Sequence, residues 1–389
     1  FFKQKTAYEI YQCDWSSDVC SSDLVTGSNG KTTVTQMLAS ILREHCGDAA
    51  SWTQGNFNNE IGVPLTLLRL REHHQCAVIE LGMNHPGEIA WLAEIAQPTV
   101  GLVNNAQREH QEFMVSVEAV AQENGAVISA LPADGVAVFP AHDDYMPLWK
   151  KLAGQRACMT FSMQAAQQSA SKADVALTHA DWQDDHWVLV ATTPKGDLKT
   201  QLHCAGRHNL SNALAACASA LAAGVALEKI AEGLAQFEPV KGRSRAYAVH
   251  VAGKQVNVVD DSYNANPDSV KAAIDLLSEL PKPQMLVLGD MGEVGNLGPE
   301  FHREVGLYAQ QKNIENVLCL GELTTHTVQA CGASAQHFSD MDALNRQVQH
   351  QLPKTASVLV KGSRFMKMER VLEAIANPSK QYTQETTPC

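Results

Sequence analysis

From Val25 onward, apolar and polar positions alternate between two periods. Over residues 31–45, Val34, Met37, Leu38, Ile41 and Leu42 recur at the three-to-four spacing of a helix with one buried face. "CAVIEL" (76–81) and "TVGLVNNA" (99–106) are short apolar runs without polar interruption, as expected of strands covered on both faces, and "GEIAWLAEIA" between them is helical. "SVEAVAQENGAVISAL" predicts another helix and "GVAVFP" another strand. Between 172 and 204 the character changes: "ADVALTH", "HWVLVATTP" and "LKTQLHC" predict an antiparallel annex, followed by the Ala-rich helix "GRHNLSNALAACASALAAG". Beyond "VKGRSRAYAV" the alternation restarts. Strands at "KQVNVVDDS", "QMLVLGD", "NVLCLG" and "SVLVKG" are spaced by helices at 267–279, 299–311, 341–351 and 365–376. The expected architecture is α/β: a phosphate-loop central domain (25–243) with a mostly parallel sheet, then a Rossmann-like, doubly wound C-terminal domain (244–389).

Residues 1–24 show neither period and no signal-peptide core, and they read as a disordered, non-native leader. The leader ends in "DVCSSDL", which back-translates to the end of a short-read sequencing adapter. On this reading "LVT" is what remains of the strand before the phosphate loop.

Composition narrows the class. The chain has 389 residues, 45% hydrophobic and 19% charged, enough for two or three cores. With 30 Lys plus Arg against 42 Asp plus Glu, the net charge of −12 argues against nucleic acid or an anionic membrane as partner. No apolar stretch reaches the length of a membrane span. Ten cysteines are scattered without a CxxC pair, and Cys76, Cys204, Cys217 and Cys319 lie in apolar runs, which points to reduced thiols in a cytoplasmic protein.

The strongest chemical signal is Gly27-Ser28-Asn29-Gly30-Lys31-Thr32-Thr33 ahead of the first helix. Glycines allow a tight turn whose N–H groups and helix dipole bind phosphate, Lys31 would reach the β- and γ-phosphates, and the Thr32 hydroxyl would ligand Mg²⁺. The usual further glycine is replaced by Val25. Glu80 closes a buried strand, where it is either a metal-holding acid or an ordinary strand terminus. His110, in "NNAQREHQEF", reads by itself as a loop histidine.

These residues, with "QGNFNNEIGVPLTLL" (54–68), "VIELGMNHPGEIAWLA" (78–93), "GRHNLSNALAA" (206–216), "KGRSRAY" (241–247), "VVDDSYNANPDS" (258–269), "LGDMGEVG" (288–295) and "VKGSRFMKMERV" (360–371), resemble the Mur ligase family over essentially all of 25–389. The short loop is a form that this family shares with folylpolyglutamate synthases. The resemblance implies ATP and Mg²⁺ as cofactors and an acyl-phosphate route to a peptide bond. It further implies UDP-N-acetylmuramoyl-tripeptide and D-alanyl-D-alanine as substrates, with a monomeric enzyme. It casts Lys31, Glu80, His110 and Arg243 as catalytic and Thr32, Glu80 and His110 as metal-holding. Asn209 and Asn212 match adenine contacts, or else serve as helix caps. Asp261 and Asn264 match positions where the last domain closes over the nucleotide, or are turn formers. Lys361 and Arg364 would meet anionic substrate or be surface charges.

Two departures follow. Many relatives carry a carbamylated lysine on the helix after the histidine, at a position matched here by Asn124, and no lysine lies between Lys31 and Lys150, which leaves Glu123 or a water held by Asn124 to take its place. Relatives also begin with a domain that grips the uridine nucleotide. The alternatives are a truncated nucleotide-binding fragment without turnover and a folylpolyglutamate synthase-like ligase, against which "DDSYNANP" argues.

Overall fold

The computed structural model describes residues 21–164, 172–183 and 185–377, so most of the leader, residues 1–20, lies outside the described residues. The chain divides into two compact units, Phe1–Glu238 and Pro239–Cys389.

In the first unit, β1 (Ser21–Thr26) leads through the glycine-rich turn into α1 (Lys31–Cys46). Then follow β2 (Ala50–Trp52), α2 (Gly62–Leu67), β3 (Cys76–Glu80), α3 (Glu88–Ala96), β4 (Val100–Val103), α4 (Val117–Asn124) and α5 (Ala126–Ser129). The unit continues with β5 (Val136–Pro140), α6 (Met146–Ala153), β6 (Ala157–Ser162), β7 (Val175–Gln183), β8 (His186–Thr193), β9 (Gly196–Leu202), α7 (Arg207–Ala222) and α8 (Leu227–Ala235). One nine-stranded sheet runs β2-β3-β1-β4-β5-β6-β7-β8-β9. Strands β7, β8 and β9 pair antiparallel as expected, but they are joined to the parallel part edge to edge through β6 and β7. The period of two sorts the parallel strands between two cores. Val25, Val78, Leu102 and Val138 face α1, α7 and α8 on one side. Leu24, Ile79, Val103 and Phe139 face the layer of α3 to α6 on the other. The helix expected over 116–131 breaks into α4 and α5 at Gly125, whose missing Cβ makes room for the Leu152 and Trp149 side chains.

β1 is the point where the strand order reverses, since the chain first builds β2 and β3 on one side and then β4 on the other. A crevice outside the carboxyl end of such a strand is the usual ligand position in an open α/β sheet. Register decides what stands there: Val25 pairs with Glu80 and Thr26 with Val103, so the glycine-rich turn, the end of β3 and Asn104 share one edge.

The second unit contains β10 (Arg245–Val251), β11 (Lys254–Asp261), α9 (Pro267–Glu279), β12 (Gln284–Gly289), α10 (Gly298–Gln311) and β13 (Asn316–Leu320). It ends with α11 (Thr324–Cys331), β14 (Ala335–Phe338), α12 (Met341–Gln351), β15 (Ser357–Lys361) and α13 (Glu369–Ala376). Its sheet runs β10-β11-β15-β12-β13-β14, parallel except for the antiparallel edge pair β10–β11. Helix α13 starts at Glu369 rather than at 365, because Lys367 adopts a left-handed φ of 52° that interrupts any helix begun earlier.

One expectation fails at the front of the chain. Ser21–Leu24 were assigned to the disordered leader, yet they form the first two thirds of β1, between β3 and β4. Leu24 is fully buried, and hydrogen bonding to both neighbouring strands fixes the segment. Asp23 has no place in such a strand. It pairs with Val78 and Val100 inside the aliphatic core, and both its carboxylate oxygens lack a hydrogen-bond partner among the described residues. Burial pushes its carboxyl up from 3.8 to about 8. The group is therefore neutral in the fold and ionised in the unfolded chain across that interval, so stability falls as pH rises from about 4 and is lowest above about 8. Urea unfolding monitored at several pH values should show this decline, on the order of 5 kcal/mol at most. Asp23→Val should raise stability at pH 8 and flatten the profile; an unchanged profile would mean that Asp23 is solvated.

Candidate active site

The glycine-rich turn is held open by side chains from outside it. Gly27 (φ 133°) and Gly30 (φ 82°) occupy conformations that favour glycine. A Cβ on Gly30 would also lie 2.4 Å from Asn212 Oδ1 and 2.7 Å from Asn104 Nδ2. The Gly27 N–H donates to Asn124 Oδ1 at 3.0 Å, and the Asn29 N–H donates to Asn105 Oδ1 at 2.9 Å. Ser28 donates its N–H to the Asn105 carbonyl at 3.2 Å, and its hydroxyl accepts from the Gln107 N–H at 2.8 Å. The stretch 104–107 thus forms the wall against which the turn is moulded.

Lys31 folds back over this turn. Its ammonium donates to the carbonyls of Gly27 at 2.6 Å and Ser28 at 3.4 Å, and to Glu109 Oε2 at 3.1 Å. Glu109 is 6% exposed, and its other oxygen has no hydrogen-bond partner among the described residues. His110 follows with a left-handed φ of 47°, placing its Nε2 4.0 Å from Glu109 Oε2.

Across the edge, Glu80 is buried, with Oε1 accepting from Asn58 Nδ2 at 2.8 Å. Oε2 of Glu80 and Oγ1 of Thr32 are buried oxygens without hydrogen-bond partners among the described residues. Buried oxygens are seldom left unsatisfied. A carboxylate and a hydroxyl facing a phosphate-binding turn are the donors a Mg²⁺ ion prefers. The residues present therefore fit that ion.

Asn209 and Asn212 are turned inward on α7. Asn209 donates to the Ala205 carbonyl at 2.7 Å and accepts from Asn212 Nδ2 at 2.9 Å. Asn212 Oδ1 in turn accepts from Asn104 Nδ2 at 3.0 Å, and Asn104 Nδ2 also donates to the Asn29 carbonyl at 2.8 Å. In this structure the pair serves as a relay of amides from α7 to the glycine-rich turn, and neither residue is the N-cap of the helix, which is Gly206.

In the second unit, register sets Asp261 beside Lys361, and their side chains meet at 2.5 Å with Lys361 almost fully buried. Asp261 Oδ1 also accepts from the Ser244 N–H at 2.9 Å, while Lys361 donates to the Asn264 carbonyl at 3.0 Å. The Asn264 side chain accepts from the next residue's N–H, as a turn former does. Arg243 stacks over the Tyr263 ring at 4.3 Å, and Arg364 lies 5.7 Å from the same ring. Gly242 donates to Asp260 Oδ2 at 2.9 Å, so Arg243, assigned by sequence to the central domain, is anchored in the second unit.

Residues 25–220 match the Mur ligase middle domain and residues 242–364 the Mur ligase glutamate ligase domain. The UDP-N-acetylmuramoyl-tripeptide–D-alanyl-D-alanine ligase of Escherichia coli K12 is 38% identical over 353 residues, which is 90% of this chain and 76% of that protein. The chain belongs to the Mur ligase family. The enzyme of that name from Bacillus subtilis is 33% identical over 361 residues, 90% of this chain and 74% of that protein. A crystal structure of MurF from Acinetobacter baumannii superposes with a TM-score of 0.86 at 30% identity, covering 95% of this chain and 80% of that one. The MurF ligase of Thermotoga maritima, solved with ADP, has a TM-score of 0.82 at 24% identity over 96% of this chain and 84% of that one, a likeness of fold. So is the likeness to a folylpolyglutamate synthase of Mycobacterium tuberculosis, with a TM-score of 0.66 at 14% identity, 95% of this chain and 92% of that one.

As a Mur ligase, the chain departs from expectation at the place of the missing lysine. Glu123 is not free to stand in, because its two oxygens accept from the N–H groups of Gly87 and Ile89 at 2.8 Å and so cap α3. Asn124 gives its Oδ1 to the Gly27 N–H, and its Nδ2 is buried without a hydrogen-bond partner among the described residues. Among the described residues no set of three His, Cys, Asp or Glu side chains converges at the phosphate loop. Sequence reasoning passed over Asn58, Asn104, Asn105, Gln107 and Glu109. Asn58 lay in plain sight in "GNFNNEIG", and Glu109 adjoins the singled-out His110.

The Lys31–Glu109 pair makes opposite demands on two variants. Lys31→Ala should weaken ATP binding roughly 100-fold in calorimetry, through loss of the charge-assisted contacts. Glu109→Gln removes a buried negative charge from the phosphate side and should tighten ATP severalfold. Equal affinities for Glu109→Gln and the unmodified chain would show that Glu109 does not oppose the nucleotide.

Proposed function

We propose that this Mur ligase joins D-alanyl-D-alanine to UDP-N-acetylmuramoyl-tripeptide at the expense of ATP, a step of peptidoglycan precursor synthesis in the cytoplasm. The observation that carries the reading is the moulded phosphate loop with Lys31 and the unsatisfied Thr32 and Glu80 oxygens at its rim. The identity to ligases of that name supports the choice of substrates.

A carboxylate acylates an amine only after its oxygen has become a leaving group. A carboxylate oxygen of the tripeptide attacks the γ-phosphorus, the bond from that phosphorus to the β,γ-bridging oxygen breaks, and ADP departs with that electron pair. The amine nitrogen of D-alanyl-D-alanine then adds to the acyl carbon. The tetrahedral adduct loses a proton from nitrogen and expels inorganic phosphate, leaving the amide.

Little covalent work falls to the protein, which positions groups and offsets charge. The N–H groups at the start of α1 face the phosphate oxygens, and the Lys31 ammonium exchanges Gly27, Ser28 and Glu109 for β,γ-oxygens. Thr32 and Glu80 would hold Mg²⁺, which supplies charge neutralisation on the phosphates when bound. Arg243 and Arg364, side by side on Tyr263, offer the second unit's cationic surface to an anionic group.

The test incubates the chain with ATP, Mg²⁺, UDP-N-acetylmuramoyl-tripeptide and D-alanyl-D-alanine, following phosphate release and product mass. Pentapeptide product that depends on all four components is expected, with Glu80→Gln lowering turnover about 100-fold or more and raising the Mg²⁺ needed. ATP binding without product would leave a nucleotide-binding protein in place of a ligase. Product from glutamate in place of D-alanyl-D-alanine would favour the folylpolyglutamate synthase-like reading.

A further inference from the structure

Strands β8 and β9 lie at the opposite end of the nine-stranded sheet from the β2–β3 edge, outside the nucleotide machinery. Their antiparallel register pairs Trp187 with Leu202, and continuing it by one step sets His186 opposite His203. Directly opposed residues on an antiparallel pair stand close enough for their side chains to meet. Here the imidazole rings are 5.1 Å apart, centre to centre, and tilted by 39°. Asp185, in the turn that joins β7 to β8, reaches both: its Oδ1 is 3.1 Å from His186 Nδ1, and its Oδ2 is 3.9 Å from His203 Nδ1. One ligand atom from each of the three residues falls within 4.8 Å of the others.

We propose that Asp185, His186 and His203 form a binding site for a borderline divalent transition-metal ion, of which Zn²⁺ is the type. Two imidazole nitrogens and one carboxylate oxygen are a common three-protein-ligand set for zinc, leaving a further position for water. In a tetrahedral site with bonds of about 2.1 Å, neighbouring ligand atoms are roughly 3.4 Å apart. The two imidazoles meet different Asp185 oxygens, at 3.1 and 3.9 Å, on either side of that edge, and rotating the exposed Asp185 and His203 side chains is the adjustment that brings a single oxygen to both nitrogens. Mg²⁺ is no competitor for this site, because it prefers oxygen donors and imidazole favours the later first-row metals. His186 is mostly buried, which limits the freedom that binding must remove, while Asp185 and His203 remain open to solution.

The bound ion would staple the β7–β8 turn to the exit of β9, a few residues before α7 begins at Arg207. Ligation restricted to the folded chain stabilises it by an amount that grows with the logarithm of the free metal concentration once that exceeds Kd.

The experiment titrates Zn²⁺ into the full chain, stripped with a chelator, dialysed and kept reduced, without nucleotide. One equivalent should bind by calorimetry with a Kd of roughly 10 µM or tighter. His186→Ala combined with His203→Ala should remove that equivalent and leave the melting temperature in chelator unchanged. Cu²⁺ offers a second readout: it quenches nearby indoles, and Trp187 adjoins His186, so tryptophan fluorescence should fall in the unmodified chain and far less in the double variant. Should the double variant fold poorly, Asp185→Asn, at a position 80% exposed, should weaken Zn²⁺ tenfold or more. The proposal is overturned if no equivalent binds at 100 µM Zn²⁺, on the order of ten times the expected Kd. It is equally overturned if the double variant keeps the equivalent, which would place the metal on the cysteines, or if Asp185→Asn binds as tightly as the unmodified chain.

Discussion

A lysine meant for phosphate is a liability before phosphate arrives. Lys31 stands at the head of α1, where the helix dipole is itself positive, and its side chain is only 15% exposed. An ammonium in that position needs oxygen partners, and the fold provides them from the turn's own carbonyls and from Glu109. Those contacts hold the turn in shape, fix where the ammonium waits, and define what a nucleotide must displace. The neighbouring glycines then serve a narrow purpose. They let the backbone curl tightly enough for a side chain at its end to reach carbonyls at its start.

Around this cation the supporting layer is built almost wholly from amides. Asn124, Asn105, Asn104, Asn212 and Asn209 each supply a donor or an acceptor of fixed direction, and none brings net charge. An amide can satisfy a backbone N–H and a carbonyl at once, so a chain of them transmits position from α7 to the turn without altering the local potential. Asn105 illustrates the point: its Oδ1 accepts from the Asn29 N–H and its Nδ2 donates to the Asn29 carbonyl, both at 2.9 Å.

Most of the strands and helices were legible because a sheet covered on both sides leaves apolar runs, and each covering helix leaves a stripe. Some of what escaped had weak patterning. β14 is a short edge strand with exposed positions, "AQHF", and α11, "TTHTVQAC", has few apolar residues. β10 alternates only partially and pairs on one side. At the site, Lys31 and Thr32 stood out from type and spacing, while Glu80 stayed open between a metal-holding acid and a strand terminus until the family resemblance gave it a role. The roles of Asn104, Asn105 and Glu109 were not, since each depends on a register between strands distant in sequence. Glu123 was misjudged for the same reason: nothing local reveals that a carboxylate on α4 faces the start of α3. Asp23 defeated the reading differently, as a charged residue at a position that topology makes interior.

The order of strands in the second unit has a consequence for synthesis. β15 lies between β11 and β12, bonded to both, and it is the last strand among the described residues. A nascent chain that has emerged only as far as β14 therefore holds two central strands with no common neighbour, and Asp261 is still without Lys361, a hundred residues away. Domains whose pairing is non-local fold late and expose strand edges meanwhile. During synthesis this unit lacks the strand that joins its two halves until β15 has emerged, and in that interval the facing edges of β11 and β12 stand unpaired.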